Sequence, residues 1–316
     1  MRFEDDNTSY NLPDIFLVGA AKSGTTTLAY YIQQHPDVAM PRKEPGFMAY
    51  YDKPDDQVPS RIRDRQVRSY DAYKRLYQDI PPDKIICDAS VANLSKYEDS
   101  IHNLKEFYGD RARDLKIVAI LRQPVDRSFS HYMMLVKNGY EELDFEEAIK
   151  EENVSKRISI ANGYNYLGNS LYYERVKAYM EAFPQMKIYL TDDLKDSKSL
   201  AKDLFEYVGL EYPEGINLKM KLNPSGMPKR RGLIKALNGY SETKERLKRA
   251  LPESWQSKLV EFKSAVTEKN VVKVKVDPEL KHRLTHEYFK EDIQKLQSLI
   301  GRDLDTWLKT ERVVSP

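Results

Sequence analysis

DIFLVGAAKSGTTTLAYYIQQHP, residues 14 to 36, reads as strand, loop and helix. Ile15 to Val18 is a short apolar run closed by Gly19, the pattern of a strand buried on both faces of a parallel sheet. Thr25 to Gln34 has helical spacing, with Leu28, Tyr31 and Ile32 on one side, and His35-Pro36 stops it. The intervening GAAKSGTT is built of small residues, so its backbone amides can converge on the N-terminus of the helix, where the macrodipole favours an anion. It is a candidate phosphate loop; a Gly-punctuated turn without a ligand is the plainer alternative.

A Walker A loop requires G-x-x-x-x-G-K-[ST]. Gly19 and Gly24 have that separation, but Thr25 stands at the lysine position and the lysine comes earlier, at Lys22. A nucleoside triphosphatase would thereby lose the ammonium that reaches the β- and γ-phosphates, whereas a ligand with fewer phosphates would not need it there.

Working outward, Val38 to Met40 is a short strand candidate, residues 69 to 78 a helix with Tyr70, Tyr73 and Tyr77 on one face, and Lys84 to Cys87 a second buried strand ending at Asp88. Tyr97 to Tyr108 reads as a helix and Lys116 to Leu121 as a strong strand, and a helix starts at Pro124. Another helix covers Tyr172 to Ala182, and another strand Lys187 to Thr191. This alternation predicts an α/β fold: a P-loop-like, doubly wound, mainly parallel sheet flanked by helices. The strand signal fades near residue 209. Beyond it come a Pro/Gly loop (NPSGMPKRRG), a basic helical region to about residue 250, a polar joint and a terminal helical pair ending near Leu308. The expectation is one domain over residues 1–316, with an α/β nucleotide-binding core at 13–208 and a basic loop plus helical C-terminal part at 209–316.

Composition excludes several classes. A net charge of +2 gives no global electrostatic case for nucleic acid. Hydrophobic and charged contents of 41% and 32% are those of an ordinary globular protein. The longest apolar run, IFLVGAA, is too short to span a bilayer, and MRFEDDNTSY has neither a basic nor an apolar signal region. One cysteine, Cys87, excludes an internal disulfide. The expectation is a cytoplasmic protein with no membrane or nucleic-acid partner.

In an open parallel sheet, ligands gather beyond the carboxyl ends of the strands. Arg122 follows the strand at 116–121, and its fork can grip a phosphate through two hydrogen bonds. Ser130 lies eight residues on, about 12 Å along a continuous helix. Alone this pair is a weak signal. Together with the first loop, its order and spacing resemble the sulfotransferases that use 3′-phosphoadenosine 5′-phosphosulfate. The resemblance implies that Lys22, Ser23, Gly24, Thr25 and Thr26 hold the 5′-phosphosulfate and that Arg122 and Ser130, in LRQPVDRSFSHY, hold the 3′-phosphate. KEPGFM at 43–48 is similar to a segment of the glycan-modifying branch, including the heparan sulfate enzymes. NPSGMPKRRG is similar to the family's late basic loop, which implies donor contacts from Lys229, Arg230, Arg231 and Gly232. The similarity extends over about residues 13 to 310.

On this resemblance the acceptor is a saccharide or another hydroxyl compound, or less readily an amine. Lys22 is a point charge for the leaving phosphate, and Glu44 is the general base that takes the acceptor proton. Without the resemblance, Glu44 reads as a surface carboxylate paired with Arg42 or Lys43. The chain departs from the branch at CDASVAN, residues 87 to 93, which lacks the lysine often found after the second strand. It also lacks the histidine that a small-molecule sulfotransferase would place there. The scheme requires no metal; His282 and His286 have i, i+4 spacing, but HRLTH lacks a glutamate and a third ligand. Asp88 reads as a cap or polar-network residue, and His131 as a packing or nucleotide-contacting residue. Residues 219–249 hold ten Lys or Arg and two Glu, a locally basic stretch with little aromatic interleaving. The alternatives are a P-loop kinase or nucleoside triphosphatase, and a non-catalytic nucleotide-binding protein.

Overall fold

The computed structural model describes residues 1–5, 8–60, 62–219, 227–228, 271–272 and 274–309. An antiparallel hairpin of β1 (Arg2–Asp5) and β2 (Thr8–Asn11) comes first. The core is a five-stranded sheet of β3 (Ile15–Gly19), β4 (Val38–Ala39), β5 (Ile85–Asp88), β6 (Lys116–Leu121) and β7 (Lys187–Leu190). Its order is β4-β5-β3-β6-β7, and every pairing is parallel. The chain thus winds from the central β3 to one edge, returns beside it, then crosses to the other side. A crevice opens at such a reversal, above the carboxyl end of β3.

Side-chain alternation divides the core. Phe16, Val18, Ile117, Ala119 and Leu121 enter one apolar cluster, and Ile15, Leu17, Val118 and Ile120 enter the other, so both faces of β3 and β6 are covered. On the second face lie α1 (Thr25–Ile32) and, late in the chain, residues Leu200, Leu204 and Phe205. On the first lie α2 (Phe47–Tyr50), α3 (Tyr70–Arg75), α4 (Ala92–Ser95), α5 (Tyr97–Tyr108), α6 (Pro124–Lys137) and the short α7 (Phe145–Ala148); α8 (Glu151–Ser155) follows along the chain and buries no residue. Then come α9 (Tyr173–Ala182) and α10 (Ser197–Tyr207), which carries Leu200 and Leu204. Ser69 caps the first turn of α3, Tyr73 is buried edge to face with Tyr77 just beyond the helix, and Tyr70 stacks on Phe107.

Among the described residues of the C-terminal part, 278–300 and 305–308 are helical. Asp277 caps α11 (Pro278–Leu284) with proline in the first turn, a π turn spans Thr285–Phe289, and α12 (Lys290–Ile300) ends at Gly301 with a left-handed φ of 61°. A last short helix, α13, covers Asp305–Leu308.

Two features escape the sequence reading. The β1–β2 hairpin is one, held by backbone pairing and by Phe3 stacked on Tyr10 and edge-on to Tyr108. The other is a two-residue ladder of β8 (Met227–Pro228) with β9 (Val271–Val272), packed on α6 and too short to register as periodicity. Helix ends also differ: α1 stops at Ile32 rather than Gln34, α3 spans Tyr70–Arg75 rather than 69 to 78, and α9 starts at Tyr173 rather than Tyr172. The basic helical region to residue 250 lies outside the described residues.

Candidate active site

The loop after β3 is held by its carbonyls. Those of Ala21, Lys22 and Ser23 accept from Arg127 Nε at 3.0 Å, Arg122 Nη1 at 3.3 Å and Thr191 Oγ1 at 2.7 Å. With three successive carbonyls tied down from the β6 and β7 sides, what the loop has left to offer a ligand is N–H groups, other than those of Ala20 and Ser23, which donate to the Ile120 and Ala20 carbonyls. No side chain caps α1 at Gly24, so its first-turn amides also lack a side-chain acceptor. Gly24 has φ 114°, and a Cβ there would stand 2.9 Å from Leu194 Cδ1. Lys22 adopts a left-handed φ of 72° without being glycine, a conformation that costs about 1–3 kcal/mol and persists only where surroundings impose it.

Cations crowd this loop. Burial pushes the Lys22 ammonium down to about 8, helped by the charges of Lys137, Arg122, Arg127 and Lys43. Ser23 Oγ is buried next to the Tyr172 hydroxyl. Crowded positive charge and uncapped amides together fit a doubly or triply charged anion.

The second candidate element is braced from behind. Arg122 leaves β6, and its carbonyl accepts the Tyr172 hydroxyl at 3.0 Å. Gln123 caps α6 by accepting from Asp126 N at 2.8 Å, and its amide donates to Thr285 Oγ1 at 2.9 Å, so the C-terminal helices buttress this turn. Ser130 is buried on α6. The structure brings Arg122 against the first loop through the Lys22 carbonyl and sets Ser130 two turns into the helix that follows.

Glu44 sits on a segment pinned to the end of β5. Ala89 N donates to the Lys43 carbonyl at 2.8 Å, and Gly46 N to Ser90 Oγ at 2.8 Å. Lys43 Nζ meets Glu44 Oε1 at 2.8 Å and Thr26 Oγ1 at 3.2 Å. The Lys43 ion pair named as the plainer reading of Glu44 therefore exists, and the same ammonium places the carboxylate at the rim of the loop, 44% exposed. Asp88 is a polar-network residue: fully buried, it accepts from Tyr73 OH at 3.0 Å and Ser90 N at 2.9 Å, and burial raises its carboxyl to about 6. His131 packs against Arg127 at 2.9 Å. The His282 and His286 rings lie 4.2 Å apart, tilted by 34°, and no cluster of three potential metal ligands occurs among the described residues. Lys229, Arg230, Arg231 and Gly232 lie outside the described residues.

Sequence reasoning passed over Arg127, Thr191 and Tyr172. Thr191 was accessible, because it follows β7 at the carboxyl edge where ligand-side residues collect. Arg127 carries no comparable signal, since a basic residue in the first turns of a helix is ordinary.

The family model described as "Sulfotransferase family" matches residues 13–214. This chain belongs to the sulfotransferase family. A crystal structure of a sulfotransferase from Alicyclobacillus acidocaldarius superposes with a TM-score of 0.64 at 25% identity, over 94% of this chain and 99% of that one. A membrane-associated sulfotransferase, kil1, of Dictyostelium discoideum is 28% identical over 149 residues, 45% of this chain and 28% of that protein. Human heparan sulfate glucosamine 3-O-sulfotransferase 3A1 is 26% identical over 127 residues, 40% of this chain and 27% of that protein. The matched part is under a third of each of those two relatives. No helix among the described residues of this sulfotransferase is long and apolar enough to cross a membrane.

Proposed function

We propose that this sulfotransferase, working as one domain, transfers a sulfuryl group from 3′-phosphoadenosine 5′-phosphosulfate to a saccharide hydroxyl, with Glu44 as general base. The observation that carries the reading is the loop itself, three successive carbonyls of which are engaged by Arg127, Arg122 and Thr191 around a half-buried, charge-crowded Lys22. Bound there, the donor supplies an activated bond between sulfur and a phosphate oxygen.

The residues of this chain do the rest. Ser23, Gly24, Thr25 and Thr26 hold the 5′-phosphate through amides and hydroxyls, and Arg122 with Ser130 takes the 3′-phosphate. Lys22 stabilises the charge that grows on the bridging oxygen as the S–O bond to phosphate breaks. Glu44 accepts the proton that the acceptor oxygen releases as it bonds to sulfur. The products are a sulfate ester and 3′-phosphoadenosine 5′-phosphate. The resemblance of KEPGFM to the glycan-modifying branch and the partial likeness to a heparan sulfate enzyme support a saccharide acceptor.

An assay with sulfur-labelled donor against a panel of saccharides, simple alcohols and amines tests this. Label should move to saccharides; transfer to non-saccharide alcohols alone would refute the acceptor class, and no use of this donor by the folded protein would refute the whole reading.

A further inference from the structure

Arg127 takes no part in the chemistry above, yet it lies directly behind the loop and is 2% exposed. Four of its five N–H groups are engaged. Nε donates to the Ala21 carbonyl at 3.0 Å, Nη1 to the Tyr166 carbonyl and Ser170 Oγ at 3.2 Å each, and Nη2 to His131 Nδ1 at 2.9 Å. None of these partners is an anion. His131 is held well below the ordinary imidazole range by burial and by the charges of Arg127 and Lys22, so its ring is neutral, with Nδ1 accepting and the proton on Nε2.

The partners are themselves fixed. Ser128 Oγ lies 2.7 Å from Ser170 Oγ, and the Tyr166 hydroxyl donates at 2.7 Å to Glu141 Oε2, which is paired with Arg157 at 2.6 Å. Such a frame has no slack to follow a moving loop. A buried guanidinium without a carboxylate is expensive to maintain unless something else draws on its charge.

We propose that Arg127 is the positioning residue of the 5′-phosphosulfate loop, holding the Ala21 carbonyl back so that Lys22 and the loop amides face the donor, and adding its own charge to the anion site. This rests on the donor reading above and separates the two arginines by role. Arg122 touches the 3′-phosphate, whereas Arg127 acts through the backbone of the first loop. Loss of Arg127 therefore weakens every adenosine 5′-anion alike, with or without a 3′-phosphate.

The test is calorimetric titration with adenosine 3′,5′-bisphosphate and with adenosine 5′-phosphosulfate, on wild type, Arg127→Met, Arg127→Lys and Ser170→Ala, alongside thermal melts and turnover. Arg127→Met should weaken both nucleotides by the same factor, about 10- to 100-fold, the scale of a lost charge-assisted contact, and lower turnover as well. Arg127→Lys should recover part of both affinities, and Ser170→Ala should show a smaller loss of the same pattern. Unchanged affinities in folded Arg127→Met, or a loss confined to the 3′-phosphorylated nucleotide, would overturn the inference. If Arg127→Met does not fold, wild-type affinities in both Arg127→Lys and Ser170→Ala overturn it instead. Wild type that binds neither nucleotide overturns the donor reading, and this inference with it.

Discussion

Thr191 Oγ1 donates at 2.7 Å to the carbonyl of Ser23, joining the end of β7 to the loop that follows β3, 168 residues earlier. The same hydroxyl lies 3.1 Å from the Leu121 carbonyl at the end of β6. One side chain thus ties three adjacent strand ends together at the point where the sheet reverses its winding. The loop is shaped before a ligand arrives, and Lys22 is held in its left-handed conformation by neighbours rather than by its own preference.

That has a consequence for Lys22. Its ammonium titrates near 8 in the free protein, so the charge needed at the leaving phosphate is present at neutral pH and is lost as pH rises through that value. Donor kcat/KM, which reports free-enzyme groups, should fall above about pH 8, and Lys22→Arg should carry that limb to higher pH. Lys22→Ala should lower kcat more than it weakens 3′-phosphoadenosine 5′-phosphate binding, because the stabilised charge grows during S–O cleavage. A raised donor KM at unchanged kcat would make Lys22 a binding residue only.

Arg122 should discriminate by the ligand's extra phosphate. Arg122→Ala is expected to cost about 1.5–3 kcal/mol, roughly 10- to 150-fold, in binding the 3′-phosphorylated nucleotide and little with the form lacking that phosphate. Calorimetry with the two nucleotides decides, and equal losses would sink the assignment.

Asp88 makes a prediction about stability. Its native carboxyl is raised from 3.8 to about 6, chiefly by burial, so the folded state holds the proton more tightly than the unfolded chain does. The sign follows: the protonated side chain favours the fold at low pH, and that advantage is lost as pH rises through about 6. Two units are worth about 3 kcal/mol. The stability of Asp88→Asn relative to wild type should therefore climb by up to that amount between about pH 4 and pH 7, as read by denaturant titration. A flat difference would mean that Asp88 is compensated by charge rather than by hydrogen bonds.

The central strands were legible because each is a short apolar run whose alternate residues feed two cores; Lys116–Leu121 coincides with β6 to the residue. The first loop was legible from glycine spacing and from one lysine out of place. The bracing was not. Arg127, Thr191 and Tyr172 reach the loop or its neighbour from sequence distances of 106, 168 and 50 residues, and only the sheet order makes such contacts local. The hairpin at the N-terminus was missed for another reason: its four-residue strands pair with each other outside the main sheet and carry no continuous apolar run.

Glu44 decides whether the site catalyses as proposed. An acceptor hydroxyl is a poor nucleophile until its proton has somewhere to go, and CDASVAN offers neither histidine nor lysine after β5. Asp88 cannot serve, since it is fully buried beneath Tyr73 and Ser90. Glu44 is exposed at the rim, joined through Lys43 to Thr26 on the donor loop. Glu44→Gln keeps the size and polarity but cannot take the proton, so donor binding should survive while kcat falls by about 10²–10⁴-fold. The substitution also releases Lys43 from its ion pair, which calls for a control. Lys43→Met removes the same pair yet leaves the carboxylate, so its kcat should stay well above that of Glu44→Gln, an exposed pair being worth only about 0–1 kcal/mol. Both must be measured at saturating acceptor. Should Glu44→Gln retain more than about a tenth of wild-type kcat, far short of the general-base scale, or should Lys43→Met fall as far, the carboxylate is holding the loop rather than accepting the proton.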